Sequence, residues 1–383
     1  MQDNQTKFKE TEVGLIPEGW GVLKFGDVSN FRYGKMPEKN KITSTGYPIY
    51  SGYRVVGNYS ECMCTQPKLI IVARGVGGTG DVKISPPNCW VTNLSIIADL
   101  DEKIINKQFL KYYFHRGLKR FDSGSAQSQI TIGDLNNIEL TLPPIEEQRK
   151  IAEVLGALDD KIELNRKMNK TLESIGQAIF KHTFRHSEQT EESLKPLSEF
   201  GQIVCGKTPS KAKSEYFGGE IPFIKIPDMH GQTFILKTED SLTEEGKNSQ
   251  PNKTIPTGSI CVSCIATVGL VSITEKNSQT NQQINSIAPF KKELTYYLYF
   301  SLKEIEQDIK DMASGGSATL NLNTGHFSNI KIVMPEDEDL HRFDKKIKPL
   351  FDQILNNMKQ IETLSKIRDS LLPRLMNGKL RLG

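Results

Sequence analysis

Two strings in this sequence have the residue types and spacing of phosphate-binding loops. Gly201-Gln-Ile-Val-Cys-Gly206-Lys207-Thr208 satisfies GxxxxGK[ST], in which glycines let backbone amides surround a phosphate, the lysine reaches its outer oxygens and the hydroxyl holds magnesium. Gly75-Val-Gly77-Gly-Thr-Gly80 satisfies GxGxxG, follows the strand-like LIIVA run and has Asp99 and Asp101 roughly twenty residues on, as a dinucleotide site requires. Both chemistries need a helix N-terminus that faces the phosphate. The residues after Thr208, PSKAKSEYFGG, open no apolar helix, and QIVC reads as a strand. DVKISPP after Gly80 is a short strand ended by two prolines, so a hairpin turn is expected there. His182 and His186 stand four apart but lack both an HExxH glutamate and a third ligand, and Cys62 with Cys64 and Cys261 with Cys264 lie in or beside β-branched runs. A structural zinc needs four ligands at workable spacing. No metal site is expected, and the chain carries no catalytic signature.

The elements that would position such residues are written twice. The run from Ser123 to Pro143 (SGSAQSQITIGDLNNIELTLP) reappears ending at Pro335, and a spacing of 192 residues holds from Gly124 and Gly316 to Phe180 and Leu372. Gly34-Lys35-Met36-Pro37 is answered by Gly206-Lys207-Thr208-Pro209 at a shorter spacing, so insertions fall inside the globular parts. Such a repeat implies pseudo-two-fold symmetry. It also tests the phosphate-loop strings, because the first copy has Ser29 and Met36 at the defining positions of the second and the second has only Ala266, Thr267 and Gly269 where the first has its glycines.

With 383 residues, 37% of them hydrophobic, there is material for two packed domains and connecting elements. The net charge of +3 announces no bulk attraction to nucleic acid, so any basic surface must be local. No apolar run has the length of a membrane span, and MQDNQTKFKE lacks the apolar core of a signal peptide; the cytoplasm is the expected compartment.

From Leu23 to Pro143 short β-like runs (PKLIIVA, DVKI, NLSIIA) alternate with Gly, Pro and Asn, and one helix is expected around 107–121. Apolar residues then step by three and four: Ile151, Leu155, Leu158, Ile162, Asn165, Asn169 or Met168, Leu172, Ile175 and Ile179. The stripe returns as Phe343, Ile347, Leu350, Ile354, Asn357, Ile361, Leu364 and Ile367 before Pro373. These spacings predict two long helices paired antiparallel as a coiled coil, the equivalent Asn165 and Asn357 either facing each other and fixing register or lying at the seam's edge in water. The expected organisation is α+β: a first mixed α/β domain over 1–143, a long helix within 144–186, a second domain over 187–335 with strands at IPFIKI, SICVSCIA and GLVSIT and a helix near 294–312, and a closing helix and tail over 336–383.

Equivalent loops of the two copies carry side chains that meet phosphates and base edges: Lys and Arg for phosphate or guanine, Asn and Gln for adenine, Ser and Thr for either. Arg32, Tyr33 and Lys35 match Lys207, Thr208, Ser210 and Lys211; Arg74, Thr92 and Asn93 match Ser263, Thr280, Asn281 and Gln282; Ser125, Gln127 and Gln129 match Ser317, Thr319 and Asn321. The Gly and Pro framework persists while the side chains differ, as readers of different sequences should.

LPPIEEQRKIAEVLGALDDKIELNRKMNKTLESIGQAIFK, with GLIPEGW before the first domain and SLLPRLMNGKLRL at the end, resembles the specificity subunit (HsdS) of Type I restriction-modification systems over the whole chain. The second copy departs from it, with MPEDEDLHRFDKKIKPL in place of LPPIEEQRKIAEVL. The resemblance implies two target recognition domains, each reading half of a split site on double-stranded DNA, and a helical spacer that docks two modification (methyltransferase) subunits. It implies no cofactor in this chain: S-adenosylmethionine belongs to those subunits, and ATP and Mg to motor-nuclease restriction subunits. SPPN at Ser85 is not an adenine-methylase motif, in keeping with a non-catalytic role. A helix of about 36 residues is roughly 54 Å long, or about 16 base pairs. A docking stripe left open predicts self-association of the lone chain. The competing readings are a purely protein-binding scaffold and a nucleotide-dependent enzyme built on Lys207.

Overall fold

The run Leu69–Val72 is buried at every position. It achieves this as an inner strand of a four-stranded antiparallel sheet ordered Ser29–Tyr33, Ser95–Leu100, Leu69–Val72, Val82–Ile84. The pleat sends Leu69 and Ile71 into a core with Phe25, Phe109 and Leu135, and Ile70 into a second cluster with Ile97, Val91, Cys64 and Cys89. A smaller sheet follows, in which Trp90–Val91 runs parallel to Tyr47–Ser51 and the latter pairs antiparallel with Arg54–Tyr59. This computed structural model describes residues 7–52, 54–75, 78–119, 129–184, 191–314 and 320–382.

The chain divides into two units, Met1–Ile162 with Thr363–Gly383 and Glu163–Glu362. The second unit repeats the plan of the first. Its main sheet runs Gly201–Cys205, Ile284–Pro289, Ile260–Ser263, Val271–Thr274, Phe234–Ile235, and Gln279–Thr280 lies parallel to Phe217–Ile224 in the smaller one. Both phosphate-loop strings dissolve into this plan. Gly201–Cys205 is a strand, no α-helix opens at Thr208, after which the next helical turn is the short 3-10 segment Ser214–Tyr216, and Gly75 and Gly80 flank a hairpin between Leu69–Val72 and Val82–Ile84 with φ values of +141° and +89°.

Two helices are shorter than their apolar pattern. The helix expected over 107–121 spans Lys107–Tyr113, because Gly117 turns the chain at φ +70° and Leu118 N–H donates to the Gly80 carbonyl. The one near 294–312 is two helices, Leu294–Glu304 and Glu306–Ala313, interrupted at Ile305.

The long helices span Ile145–Phe184 and Asp337–Met376, 40 residues each. The second passes Pro373 instead of stopping there, since Leu372 and Leu375 on either side are buried in the first core, and it also carries Pro349 on its exposed face. The boundary between units falls within both helices, so each helix serves two cores. In the first unit Ile151 and Leu155 share a cluster with Leu372 and Leu375, and Arg381 grips Glu147 with Nε at 2.5 Å and Nη2 at 2.6 Å. In the second, Phe180 packs with Phe343, Ile347, Phe351 and Ile354. Rising numbers on one helix meet falling numbers on the other, so the pairing is antiparallel within each unit.

Of the seam, Ile151, Leu155, Ile162, Asn165, Ile347, Ile354 and Asn357 are buried, and Leu158, Leu172, Leu350, Ile361 and Leu364 are half-buried. Ile175 and Ile367 were expected in it but are 44% and 42% exposed, whereas Phe351 is fully buried. A 3.6-residue helix drifts against a strict heptad, so an extrapolated stripe leaves the contact face near the helix ends. Asn165 and Asn357 are buried without bonding each other: Asn165 donates to Gln360 Oε1 at 3.1 Å and Asn357 donates to Asn169 Oδ1 at 2.8 Å while accepting from Gln353. The polar layer is therefore spread over five side chains rather than one facing pair.

In the first unit Asp159 accepts from Tyr112 OH at 2.8 Å and from Arg368 Nη1 at 2.8 Å. Burial by itself would raise this carboxyl, but the bonds from Arg368 and Tyr112 and the charges of Lys111 and Arg368 outweigh it and hold the pKa below the ordinary 3.8. A depressed carboxylate contributes stability that is fully present above its unfolded pKa and lost as pH falls through the folded value. Denaturation midpoints of wild type and Asp159→Asn measured from pH 6 down to pH 2 should therefore converge, the wild type losing more stability below about pH 4.

Candidate nucleic-acid interface

The Gly-Lys-x-Pro segments leave the first strand of each main sheet and lie across a tight turn of the same unit. Gly34 N–H donates to Ser95 O at 3.0 Å and Lys35 N–H to Val91 O at 2.9 Å; Gly206 N–H donates to Ile284 O at 3.1 Å and Lys207 N–H to Thr280 O at 2.9 Å. The turn itself is closed by Ser95 N–H to Thr92 O at 3.1 Å and by Ile284 N–H to Asn281 O at 3.3 Å. Only glycine permits this approach. A Cβ on Gly34 would sit 2.3 Å from Val91 O, and one on Gly206 2.1 Å from Asn281 O.

These bonds set the correspondence between the copies one residue away from the sequence match. Thr92 answers Asn281 and Asn93 answers Gln282. Thr92 and Asn281 are buried: the Thr92 hydroxyl donates to Ser51 Oγ at 3.2 Å, and Asn281 Nδ2 donates to Gln283 Oε1 at 2.9 Å while its Oδ1 accepts from Gln283 N–H. They hold the turn. Asn93 is half-buried and Gln282 exposed, beside the exposed Lys35 and Lys207. Thr208 donates to Gln282 Oε1 at 2.8 Å, which leaves the amide nitrogen as an outward donor. Tyr33 and Met36, 39% and 70% exposed, add apolar surface next to Lys35.

Arg32 is less available than its type suggested. Its Nε donates to Asp99 Oδ2 at 3.0 Å, and Lys68 lies 2.6 Å from the other oxygen; these ions overcome the burial that would raise Asp99 and keep its carboxyl below the ordinary value. The second unit has Val204, Ala288 and Ser259 at the matching places, the first two in its main sheet and Ser259 just before the strand Ile260–Ser263. Cys64 and Cys89 pair across an isolated bridge. The hydrogen bond with Cys89, helped by Arg32 and opposed by burial, holds the Cys64 thiol below the ordinary thiol range. Arg74 is exposed and bridges Gln129, a pairing repeated by Ile265 and Asn321, so its counterpart is Ile265 and not Ser263. Ser125, Gln127, Ser317 and Thr319 lie outside the described residues, as does His186.

Lys211 is exposed, and with it come lysines the sequence reading passed over. Lys35, Lys39 and Lys41 recur as Lys207, Lys211 and Lys213 at a constant spacing of 172 residues, a signal visible in GKMPEKNK and GKTPSKAK. Among the described residues no group of three or more His, Cys, Asp or Glu could hold a metal ion, and no helix is long and apolar enough to cross a membrane.

The family model for the Type I restriction modification DNA specificity domain matches this chain twice, over residues 17–174 and 191–368. The Type I restriction enzyme HindI specificity subunit of Haemophilus influenzae is 41% identical over 326 residues, covering 66% of this chain and 71% of its own. The MjaIX specificity subunit of Methanocaldococcus jannaschii is 26% identical across 99% of this chain and 97% of its own. A crystal structure of a Type I restriction-modification system S subunit from M. genitalium shares the fold, with a TM-score of 0.68 over 97% of this chain and 98% of that one at 19% identity.

Because Gly206 has no room for a side chain, Gly206→Ala should push the Lys207 segment off the 280–284 turn at a cost of about 1–3 kcal/mol. Urea denaturation would read that loss, and a variant as stable as wild type would show that the close approach is dispensable.

Proposed function

The chain belongs to the Type I restriction modification DNA specificity family, and we propose that Lys35 with Asn93 in one unit and Lys207 with Gln282 in the other read the two halves of a split DNA site. It is a DNA sequence-specificity subunit with two recognition domains, and methylation and cleavage lie in other subunits of the complex. It binds DNA and assembles with those subunits.

The observation that carries the reading is one backbone cradle built twice with different side chains on it. Asn and Gln match adenine bidentately, Lys matches guanine O6 and N7, and apolar groups such as Met36 suit the thymine methyl. Arg74 extends the same edge in the first unit. Ser125, Gln127, Ser317 and Thr319 belong to the proposed interface on their sequence alone.

We assign S-adenosylmethionine to two modification subunits docked on the long helices, and ATP and magnesium to motor-nuclease restriction subunits. Leu164, Met168 and Ile175, exposed on one long helix, support such docking and support self-association of the lone chain. We assign the gap between half-sites to the long helices, 40 residues each.

The test combines this chain with the modification subunit encoded beside it and S-adenosylmethionine, followed by sequencing of methylated adenines. A split motif with fixed gap, lost when this chain is omitted, is the expected result; methylation independent of the chain, from an active partner, would leave a protein-binding scaffold. Deleting one heptad from both helices, roughly 10 Å, should shorten the gap by up to about three base pairs, and an unchanged gap would refute the spacer role.

A further inference from the structure

We propose that the Lys-x-Lys closing each Gly-Lys-x-Pro-x-Lys-x-Lys segment, present once in each unit, is a clamp for the DNA phosphate backbone, and that carboxylates in the first unit silence one of its two lysines there. The proposal rests on the DNA-recognition reading above and adds to it a sequence-independent contact with a different strength in each half.

The two segments share a backbone as well as a pattern. Beyond the paired bonds of Gly34 and Gly206, each closes the same turn, Lys41 N–H to Glu38 O at 3.0 Å and Lys213 N–H to Ser210 O at 3.1 Å. Lys35, Lys39, Lys207 and Lys211 are exposed, and among the described residues none of them has a carboxylate within ion-pair distance. The third lysine differs. Lys41 Nζ lies 2.8 Å from Glu61 and 3.3 Å from Glu38, half-buried between them, with its charge already answered. Glu38 stands where the second unit has Ser210, and Lys213 is exposed, its amine donating to the Tyr216 hydroxyl at 2.9 Å with no carboxylate within ion-pair distance among the described residues.

Residue types that stay constant while their neighbours change indicate a constant ligand. Met36 becomes Thr208 and Asn93 becomes Gln282 between the units, yet every lysine remains. What all DNA sequences share is the phosphate, and a flexible ammonium meets it as a point charge without base specificity. Besides Lys35 and Lys207, the first unit thus offers one unpaired ammonium group in this segment and the second unit two.

Fluorescence anisotropy of the full chain on a duplex carrying its mapped site, titrated with salt, separates the contributions. Each phosphate contact adds about 0.9 to the slope of log K against log salt. Lys39→Gln, Lys211→Gln and Lys213→Gln should each lower the slope by about 0.9 and weaken mapped and scrambled duplexes equally. Lys41→Gln should leave the slope as it is, while Glu38→Ser with Glu61→Gln should raise it by about 0.9. Equal slope losses for Lys41→Gln and Lys213→Gln, or a changed sequence preference in Lys211→Gln, would overturn the clamp. Wild type that does not prefer its mapped site overturns the recognition reading and the clamp together. Intact preference with unchanged slopes in all lysine variants overturns the clamp alone.

Discussion

The long helices cannot exist without the globular parts, nor the globular parts without them, because a single apolar stripe is shared between them. An isolated helix with charged flanks gains little from its own hydrogen bonds; it is held by what covers its apolar face. Here the cover is a recognition unit as much as the partner helix. Phe180 on one helix and Phe351 on the other meet Phe300 with ring centroids 5.7 and 5.5 Å away, and Gly176 lies so close to Phe300 that a Cβ there would be 2.7 Å from its ring. In the first unit Tyr112 does the equivalent work through Asp159. The recognition surface is anchored to the helices by aromatic packing in one unit and, in the other, by aliphatic packing of Ile151 and Leu155 joined by a half-buried hydrogen bond.

A second constraint runs through the loops. The close approach of Gly34 and Gly206 to carbonyl groups fixes where the following lysine emerges, and the turn opposite is locked by its own buried Thr92 or Asn281. Everything that holds the cradle in shape is backbone or buried. What varies, Met36 against Thr208 and Asn93 against Gln282, faces outward and is bonded to little else. Substitution at these positions leaves the cradle intact, which is the physical condition for a domain that changes its target without changing its fold.

Much of this was legible beforehand. The two helices, the antiparallel pairing and the strand nature of QIVC and LIIVA follow from apolar period and from a repeat that exposes chance motifs. The misses have specific causes. Ile175 and Ile367 slipped outward because a 3.5 period drifts on a 3.6 helix, while Phe351 came in. Asn165 found Gln360 instead of Asn357, a choice that depends on stagger of the helices and not on spacing along either one. The Asn93 to Gln282 equivalence was missed by one residue, because only the hydrogen bonds of Gly34 and Gly206 define it. Arg32 looked free in sequence, and its capture by Asp99 crosses 67 residues.

The first unit is assembled from two separated stretches, Met1–Ile162 and Thr363–Gly383, whereas the second is one continuous stretch. On a ribosome the order of completion is therefore inverted. The stretch made first must wait with Ile151 and Leu155 uncovered until Leu372 and Leu375 have been synthesised, while Glu163–Glu362 has all its own material earlier. At about 5–20 residues per second the roughly two hundred intervening residues take on the order of ten to forty seconds. For that interval the stretch translated first is an unfinished surface, and a chain truncated before Leu372 would leave it permanently incomplete.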